Sequence, residues 1–191
     1  AMAEAAGAEA RLLPIARDNE DSLRFAFSLA RGADVLVTVG GASVGDHDLV
    51  GRVAHDLGLE RGFWKIAMRP GKPLMAGRLG ASVMLGLPGN PVSAIVCAHL
   101  FLLPLLAHLQ GLEARHNVRK ARLAVAVDAN GPRTHYMRAR LADGEDGPTI
   151  MPMGRQDSAL LTILAEADAL LIRPVGDGPR HAGELVDYLP I

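Results

Sequence analysis

The sequence predicts an α/β domain followed by a small all-β domain. Up to residue 109, short β-branched runs alternate with amphipathic helical patterns, which is typical of a parallel or mixed sheet with helices on its faces. From residue 123 onward, short strand-like runs recur between turns, which indicates a small barrel or sandwich. The charged segment EARHNVRKAR has no apolar face and separates the two patterns. We therefore place the domains at residues 1–113 and 123–191, with a linker at 114–122.

Each element predicted in the first domain has its own signal. Helical spacing from residue 21 to residue 31 places Leu23, Phe27 and Ala30 on one face, and Gly32 ends that helix. The β-branched run DVLVTV at 34–39 is followed at once by two glycines, as expected of a buried strand that ends in a turn. The other predicted elements are helices at 48–57 and 91–109 and strands at 63–68, 74–76 and 82–87.

The second domain is predicted to be a series of short strands. They are separated by turn sequences such as Asn130-Gly131 and Asp177-Gly178-Pro179. We predict strands at 123–127, 136–141, 149–153, 169–172 and 185–189, with one short helix at 158–166.

Composition excludes several classes of protein. Of the 191 residues, 49% are apolar and 21% charged, which is the balance of a folded chain and not of a disordered tail. A net charge of −1 argues against non-specific binding to nucleic acid, which depends on clustered cations. The single cysteine, Cys97, excludes an intrachain disulfide and indicates a reducing compartment, and the seven scattered histidines offer no metal site.

The segment from Val92 to Leu112 is long and apolar enough to span a bilayer. Two histidines and the central Pro104 favour a buried helix instead. The Ala-rich N-terminus lacks the pattern of a secretory signal and indicates a truncated or processed start.

Three turns rich in glycine or proline follow or join the predicted strands. In open α/β sheets, ligands bind beyond the carboxyl ends of strands, so these turns are expected to line one cleft. GGASVGDHD at 40–48 offers backbone amides to an anion, and its two aspartates suit a divalent cation that bridges to the ligand. The alternative is a tight turn with a helix-capping aspartate.

The second turn, FWKIAMRPGKP at 63–73, places Lys65, Arg69 and Lys72 close together in a proline-framed loop. Three cations without an intervening carboxylate suit a phosphate or another oxyanion, although solvated side chains on a hairpin are the alternative. The third turn, GLPGNPVSA at 86–94, starts the long helix with Asn90 as N-cap and Pro91 as first residue. Its free N–H groups suit an anion, and a capped core helix without a ligand is the alternative.

In this order the three strings resemble the molybdopterin molybdenumtransferase family, which comprises MoeA and the E domain of gephyrin and its plant relatives. The resemblance runs from Ile15 to about Gly111 and covers the tail more loosely. The sister molybdopterin adenylyltransferases typically carry a GG-T-G loop followed by Arg-Asp, whereas residues 41–45 read GASVG here.

The resemblance implies a MogA-like three-layer α/β domain, truncated at its N-terminus, and a small barrel-like all-β domain. It implies a cytoplasmic enzyme that inserts molybdate into adenylylated molybdopterin with Mg²⁺ and releases AMP. It also implies a homodimer of the full-length protein, with neither nucleic acid nor membrane as partner.

Site residues follow from the same resemblance. Asp48, Lys65, Arg69 and Lys72 are expected to be catalytic, with Asp48 also acting with magnesium and Lys72 holding molybdate. Arg69 stands where lysine is usual, so a planar fork replaces a point charge. The substrate-binding residues expected on this basis are Asp18, Gly40, Gly41, Ser43, Gly89, Asn90, Ser93, Arg138 and Ser158.

The chain lacks the strand, the threonine-glycine-acid motif and the two domains that precede this region in family members. We therefore expect a fragment of a longer protein. The alternatives are a non-catalytic fragment that binds molybdopterin or acts as a scaffold, and a sister adenylyltransferase, which the loop sequence disfavours.

Overall fold

The computed structural model describes residues 1–41, 49–157 and 161–191, and within them it contains two β-sheets. The helices are α1 (Met2–Ala5), α2 (Glu20–Leu29), α3 (Leu49–Asp56), α4 (Pro91–Leu109) and α5 (Leu161–Ala165). The strands are β1 (Val35–Val39), β2 (Leu59–Trp64), β3 (Met68–Arg69), β4 (Met75–Leu79), β5 (Ser82–Leu87), β6 (Arg119–Leu123), β7 (Thr134–Gly144), β8 (Gly147–Pro152), β9 (Ala169–Arg173) and β10 (Leu185–Pro190).

The first sheet has helices on both faces. Its order is β1-β5-β4-β2, with β1 and β5 parallel and the other neighbours antiparallel. Side chains alternate across it, so Leu36 and Met84 pack with α2 and α3, while Val37 and Leu85 pack with α4. The predicted three-layer arrangement with a mixed sheet is confirmed.

Helix α4 supplies much of the core beneath the first sheet. Asn90 caps it, because the side chain accepts a hydrogen bond from the Ser93 N–H at 3.4 Å. The turn Ala98–Leu102 is π-helical and precedes Pro104, which has no N–H to donate to the preceding turn. By length and composition the helix could cross a membrane, but half of its most apolar stretch is buried inside this structure, as expected of a core helix.

The second sheet closes on itself. Its order is β3-β7-β8-β6-β10-β9, and an additional pairing of β7 with β9 completes the ring. Ala139, Ile150 and Leu171 fill its interior. The predicted small barrel is confirmed, and strand β3 from the first half of the chain joins it alongside β7.

Two predicted strands are displaced. The strand predicted at 123–127 lies at Arg119–Leu123, so it begins inside the segment assigned as a linker. The charged residues made this strand difficult to recognise from the sequence. Its side chains alternate, so Ala121 and Leu123 are buried while Lys120 and Arg122 are exposed. Lys120 pairs with Asp187 on the neighbouring strand.

The strand predicted at 63–68 is interrupted. Strand β2 ends at Trp64, and Lys65 adopts a left-handed backbone with φ of +71°. The chain then leaves the first sheet and enters the second at Met68. The run at 63–68, predicted as one strand, therefore contains the point at which the chain passes from the first sheet to the second.

Candidate functional site

An open cleft of about 310 Å³ lies where the first sheet meets the barrel. Its walls come from the turn after β3, the first turn of α4, the start of β7 and the segment after β8. The residues that line it are Arg69, Pro70, Gly71, Lys72, Pro73, Ser93, Arg133, His135 and Gln156. Among these described residues three carry a positive charge and none carries a carboxylate, so the cleft suits an anion.

The turn that carries Arg69 and Lys72 is fixed from both sides. The Lys65 N–H donates to the Leu74 carbonyl at 3.0 Å, and the Ile66 N–H donates to the Lys72 carbonyl at 3.2 Å. Gly71 has φ of +108°, and a Cβ there would lie 2.4 Å from the Cys97 sulfur. Only glycine lets the turn seat on α4, so both cations are held at the cleft while their side chains remain exposed.

Arg138 lies fully buried directly behind the cleft lining. Its backbone N–H donates to the Gln156 Oε1 at 3.0 Å, and the Gln156 Nε2 donates back to its carbonyl at 2.9 Å. The guanidinium donates through Nη2 to the Asp157 carbonyl at 3.2 Å, while Nε and Nη1 have no partner among the described residues. Burial lowers the pKa of Arg138, and attraction to Asp157 partly offsets this.

A buried arginine with unused N–H groups is costly, because each buried donor without a partner loses its hydration. An anion that accepted hydrogen bonds from these groups would remove that cost. Arg138 is therefore the strongest single indication of a ligand in this region.

His135 occupies the middle of the cation cluster and is 5% exposed. The Arg69 Nη2 lies 2.8 Å from its Nδ1. Burial, together with the charges of Arg69, Arg138, Arg173 and Arg133, lowers the pKa of His135 to about 3. The ring is thus neutral at physiological pH.

The first and third glycine turns meet beside this cleft. Strands β1 and β5 run parallel and end together, and the Gly40 N–H donates to the Leu87 carbonyl at 3.0 Å. A Cβ on Gly89 would lie 3.3 Å from the Gly40 Cα, so the two backbones nearly touch. The junction leads into the N-terminus of α4, where Ser93 lines the cleft.

The structure brings together some of the residues predicted for the site. Arg69, Lys72 and Ser93 line the cleft and Arg138 lies behind it, while Gly40, Gly41, Gly89 and Asn90 lie in the two glycine turns. Lys65 is placed apart from the lining, with its ammonium group 4.3 Å from the centre of the Trp64 ring. Asp18 is exposed immediately before Asn19, the N-cap of α2. Ser43, Asp48 and Ser158 lie outside the described residues.

Sequence reasoning missed Arg133, His135 and Gln156. The cluster Arg133-Thr134-His135 follows the Asn130-Gly131 turn and opens β7, so a basic group at a strand start was the available signal. No comparable signal identified Gln156, because it acts through hydrogen bonds to the backbone of a residue 18 positions away.

Two family models match the chain. Residues 1–108 match the probable molybdopterin binding domain, and residues 120–191 match the MoeA C-terminal region, domain IV. Curated relatives include the molybdopterin molybdenumtransferases of Staphylococcus aureus (strain COL), 30% identical over 99% of this chain, and of Haemophilus influenzae, 34% identical over 94%. The chain spans 46% and 44% of the length of these two relatives.

Solved structures agree in fold. The molybdopterin biosynthesis MoeA protein from Pyrococcus horikoshii is 29% identical with a TM-score of 0.74, and the match covers 92% of this chain and 42% of that protein. A molybdenum cofactor biosynthesis protein from Pyrococcus furiosus, 22% identical, superimposes on the whole chain with a TM-score of 0.78 and is covered to 61%. The chain therefore belongs to the molybdopterin molybdenumtransferase family, and it comprises the molybdopterin-binding and C-terminal regions of that family.

Proposed function

We propose that this chain carries the site at which molybdate is inserted into adenylylated molybdopterin, with release of AMP in a magnesium-dependent reaction. The observation that carries this proposal is the cleft with three lining cations, no described carboxylate in its lining, and an under-used buried arginine behind it. Molybdate is a tetrahedral dianion, and several positively charged N–H donors around one space are the natural receptor for it.

The cations of the cleft differ in the geometry of their hydrogen-bond donors, and each kind would contact the oxyanion differently. Lys72 supplies a mobile point charge on a fixed turn, while Arg69 and Arg133 offer planar N–H forks that contact two oxygens at once. Arg138 adds charge and unused donors from behind, next to Asp157 and the segment that leads to Ser158. Together these groups would hold the oxyanion and stabilise the negative charge that develops as AMP departs.

The phosphate side of the substrate is assigned to the glycine junction and the start of α4. Backbones that approach as closely as Gly40 and Gly89 leave no side chain to obstruct a pyrophosphate. The N-terminus of the 19-residue α4, where Asn90 already caps the Ser93 N–H, carries a partial positive charge that would attract a phosphate. Ser93 would then lie between the phosphate and the oxyanion.

Asp48 is the residue that would act with magnesium, and it lies outside the described residues. Among the described residues no group of three or more His, Cys, Asp or Glu side chains could hold a metal ion. The role of magnesium is to be tested by comparing the magnesium dependence of AMP release in the wild type and in Asp48→Asn.

A second candidate is binding of molybdopterin or its nucleotide without turnover. It is favoured by one observation, that the chain spans less than half the length of the curated relatives it matches. In that case the cleft holds its ligand and the chemistry needs other parts of a longer protein. A cytoplasmic location, a homodimer and separate domains at 1–113 and 123–191 belong to the same set of proposals.

The deciding experiment follows AMP release from adenylylated molybdopterin with magnesium, in the presence and absence of molybdate. The transferase proposal expects release that depends on molybdate and that falls at least tenfold in Lys72→Ala. The matched control is Lys120→Ala, an exposed lysine on the barrel that pairs with Asp187. Retained ligand without release would select the binding candidate, and full activity of Lys72→Ala would reject the assigned site.

A further inference from the structure

Arg69 and His135 form a cross-strand pair between the two halves of the molecule. They are register partners in the short parallel pairing of β3 with β7, through which the first half of the chain joins the barrel sheet. The Thr134 N–H donates to the Ala67 carbonyl at 2.9 Å in the same pairing. The two side chains both line the cleft and meet at 2.8 Å.

The direction of their hydrogen bond follows from the chemistry of arginine. A guanidinium has five N–H donors and no acceptor, and it stays protonated in proteins. His135 Nδ1 must therefore accept, which places the ring hydrogen on Nε2. Arg69 spends one donor on this bond, and its other four N–H groups make no hydrogen bond within the described residues.

A neutral acceptor is well suited to this position. Arg69 is exposed, so its side chain would sample several rotamers without a partner. A carboxylate would orient it, but would also cancel its charge and repel an incoming oxyanion. The imidazole orients the fork and leaves the full positive charge available.

We propose that His135 is a positioning residue, whose Nδ1 holds the Arg69 guanidinium with its free N–H groups directed at the oxyanion in the cleft. The proposal rests on the proposed function of the cleft. Arginine suits this role, because a planar fork with five N–H donors can spend one on the imidazole and keep four for the ligand in a fixed orientation.

The test is a double-mutant cycle read as molybdate affinity by calorimetric titration of this chain. Arg69→Lys and His135→Leu are each expected to weaken binding roughly tenfold, and the double variant by the same factor because the two groups act as one unit. His135→Asn keeps an acceptor oxygen near the place of Nδ1, so it should bind within about twofold of the wild type. Arg140→Lys is the matched control. Arg140 lies on β7, as His135 does, but outside the cleft lining, and it pairs with Glu166 at 2.5 Å.

Several outcomes would overturn the proposal. The first is a double variant whose molybdate affinity falls about a hundredfold, because the two effects would then be additive. The second is a His135→Asn variant that binds molybdate as weakly as His135→Leu. The third is a wild type that binds no molybdate. Measurement of AMP release on the same samples separates the two proposals. Binding with the expected cycle but without release would reject only the transferase function, and release with an additive cycle would reject only the role of His135.

Nitrogen NMR of the histidine ring gives an independent readout. The wild type should show His135 as the Nε2–H tautomer, assigned by its absence from the His135→Asn spectrum, and Arg69→Lys should shift the tautomer populations. A hydrogen on Nδ1 in the wild type would contradict the proposed direction of the bond.

Discussion

Two arginines in the barrel are almost equally buried, but their guanidinium groups differ in how many hydrogen bonds they make. Arg173 on β9 is 2% exposed and donates to the Asp177 carboxylate at 2.5 Å and to the carbonyls of Asp128 and Gly178 at 3.1 and 2.6 Å. Arg138 on β7 is fully buried, and its guanidinium donates to one carbonyl among the described residues.

Under the proposed function, the contrast is between a structural cation and one whose donors a ligand would satisfy. A buried charge is stable only when its donors are matched, and Arg173 meets this condition within the fold. Two guanidinium nitrogens of Arg138 have no partner within residues 1–41, 49–157 and 161–191, and under the proposed function a bound anion would offset the cost of burying them. Burial alone therefore does not distinguish the two arginines, whereas the number of hydrogen bonds that each guanidinium makes does.

Removing Arg173 should have the largest effect on stability. Arg173→Met would leave the buried Asp177 with Arg180 as its remaining described ion-pair partner and would orphan two carbonyls, so we expect the free energy of unfolding to fall by about 3–5 kcal/mol. Urea unfolding monitored by circular dichroism measures it. A loss below about 1 kcal/mol would show that the network is not structural.

Arg138→Met should give the reverse pattern. We expect roughly a hundredfold loss of molybdate-dependent AMP release, as for the loss of an oxyanion donor, with unfolding free energy within about 1 kcal/mol of the wild type. In addition, molybdate should raise the melting temperature of the wild type and not of the variant. A strongly destabilised but active Arg138→Met would reverse the assignment of the two arginines.

The structural network should also be visible in acid. The pKa of Asp177 is lowered, chiefly by its hydrogen bond with Arg180 and also by Arg173, against an opposing effect of burial. A depressed pKa in the folded state contributes stability above the ordinary aspartate value of 3.8, and this contribution is lost as the pH falls through the folded value. The unfolding free energy should therefore drop more steeply below about pH 4 in the wild type than in Asp177→Asn, and equal slopes would contradict the pairing.

The smallest effect is expected at an exposed pair on the same barrel. Lys120 and Asp187 meet at 2.7 Å, but their side chains are 66% and 47% exposed. Lys120→Ala should change the unfolding free energy by about 0.2–1 kcal/mol, because solvent and salt screen such pairs. A larger loss in urea titrations would mean that charge pairing stabilises this barrel regardless of burial.

Local patterns predicted most of the fold, since β5 and the start of α4 lie where period and capping placed them. The failures came from long-range context. Lys65 breaks an apolar run because the chain changes sheets there, and Arg119–Leu123 hides a strand in charges because only alternate residues face the core.

The same limit applied to the site. Lys72 and Ser93 were found from motifs, while Gln156 and His135 lie beside them through pairings between distant strands. Linear spacing carries no information about such pairings.

Because Gly71 packs closely on α4, the reactivity of Cys97 can report on movement of the turn that contains Gly71. Cys97 is the single thiol of this sequence, is fully buried, and has a pKa raised by burial to about 12. It sits directly beneath the turn that presents Arg69 and Lys72. Because Gly71 packs on the Cys97 sulfur, lifting the turn from the helix would expose the thiol to alkylation. A bound oxyanion that holds the turn in place should therefore slow alkylation of the unsubstituted chain.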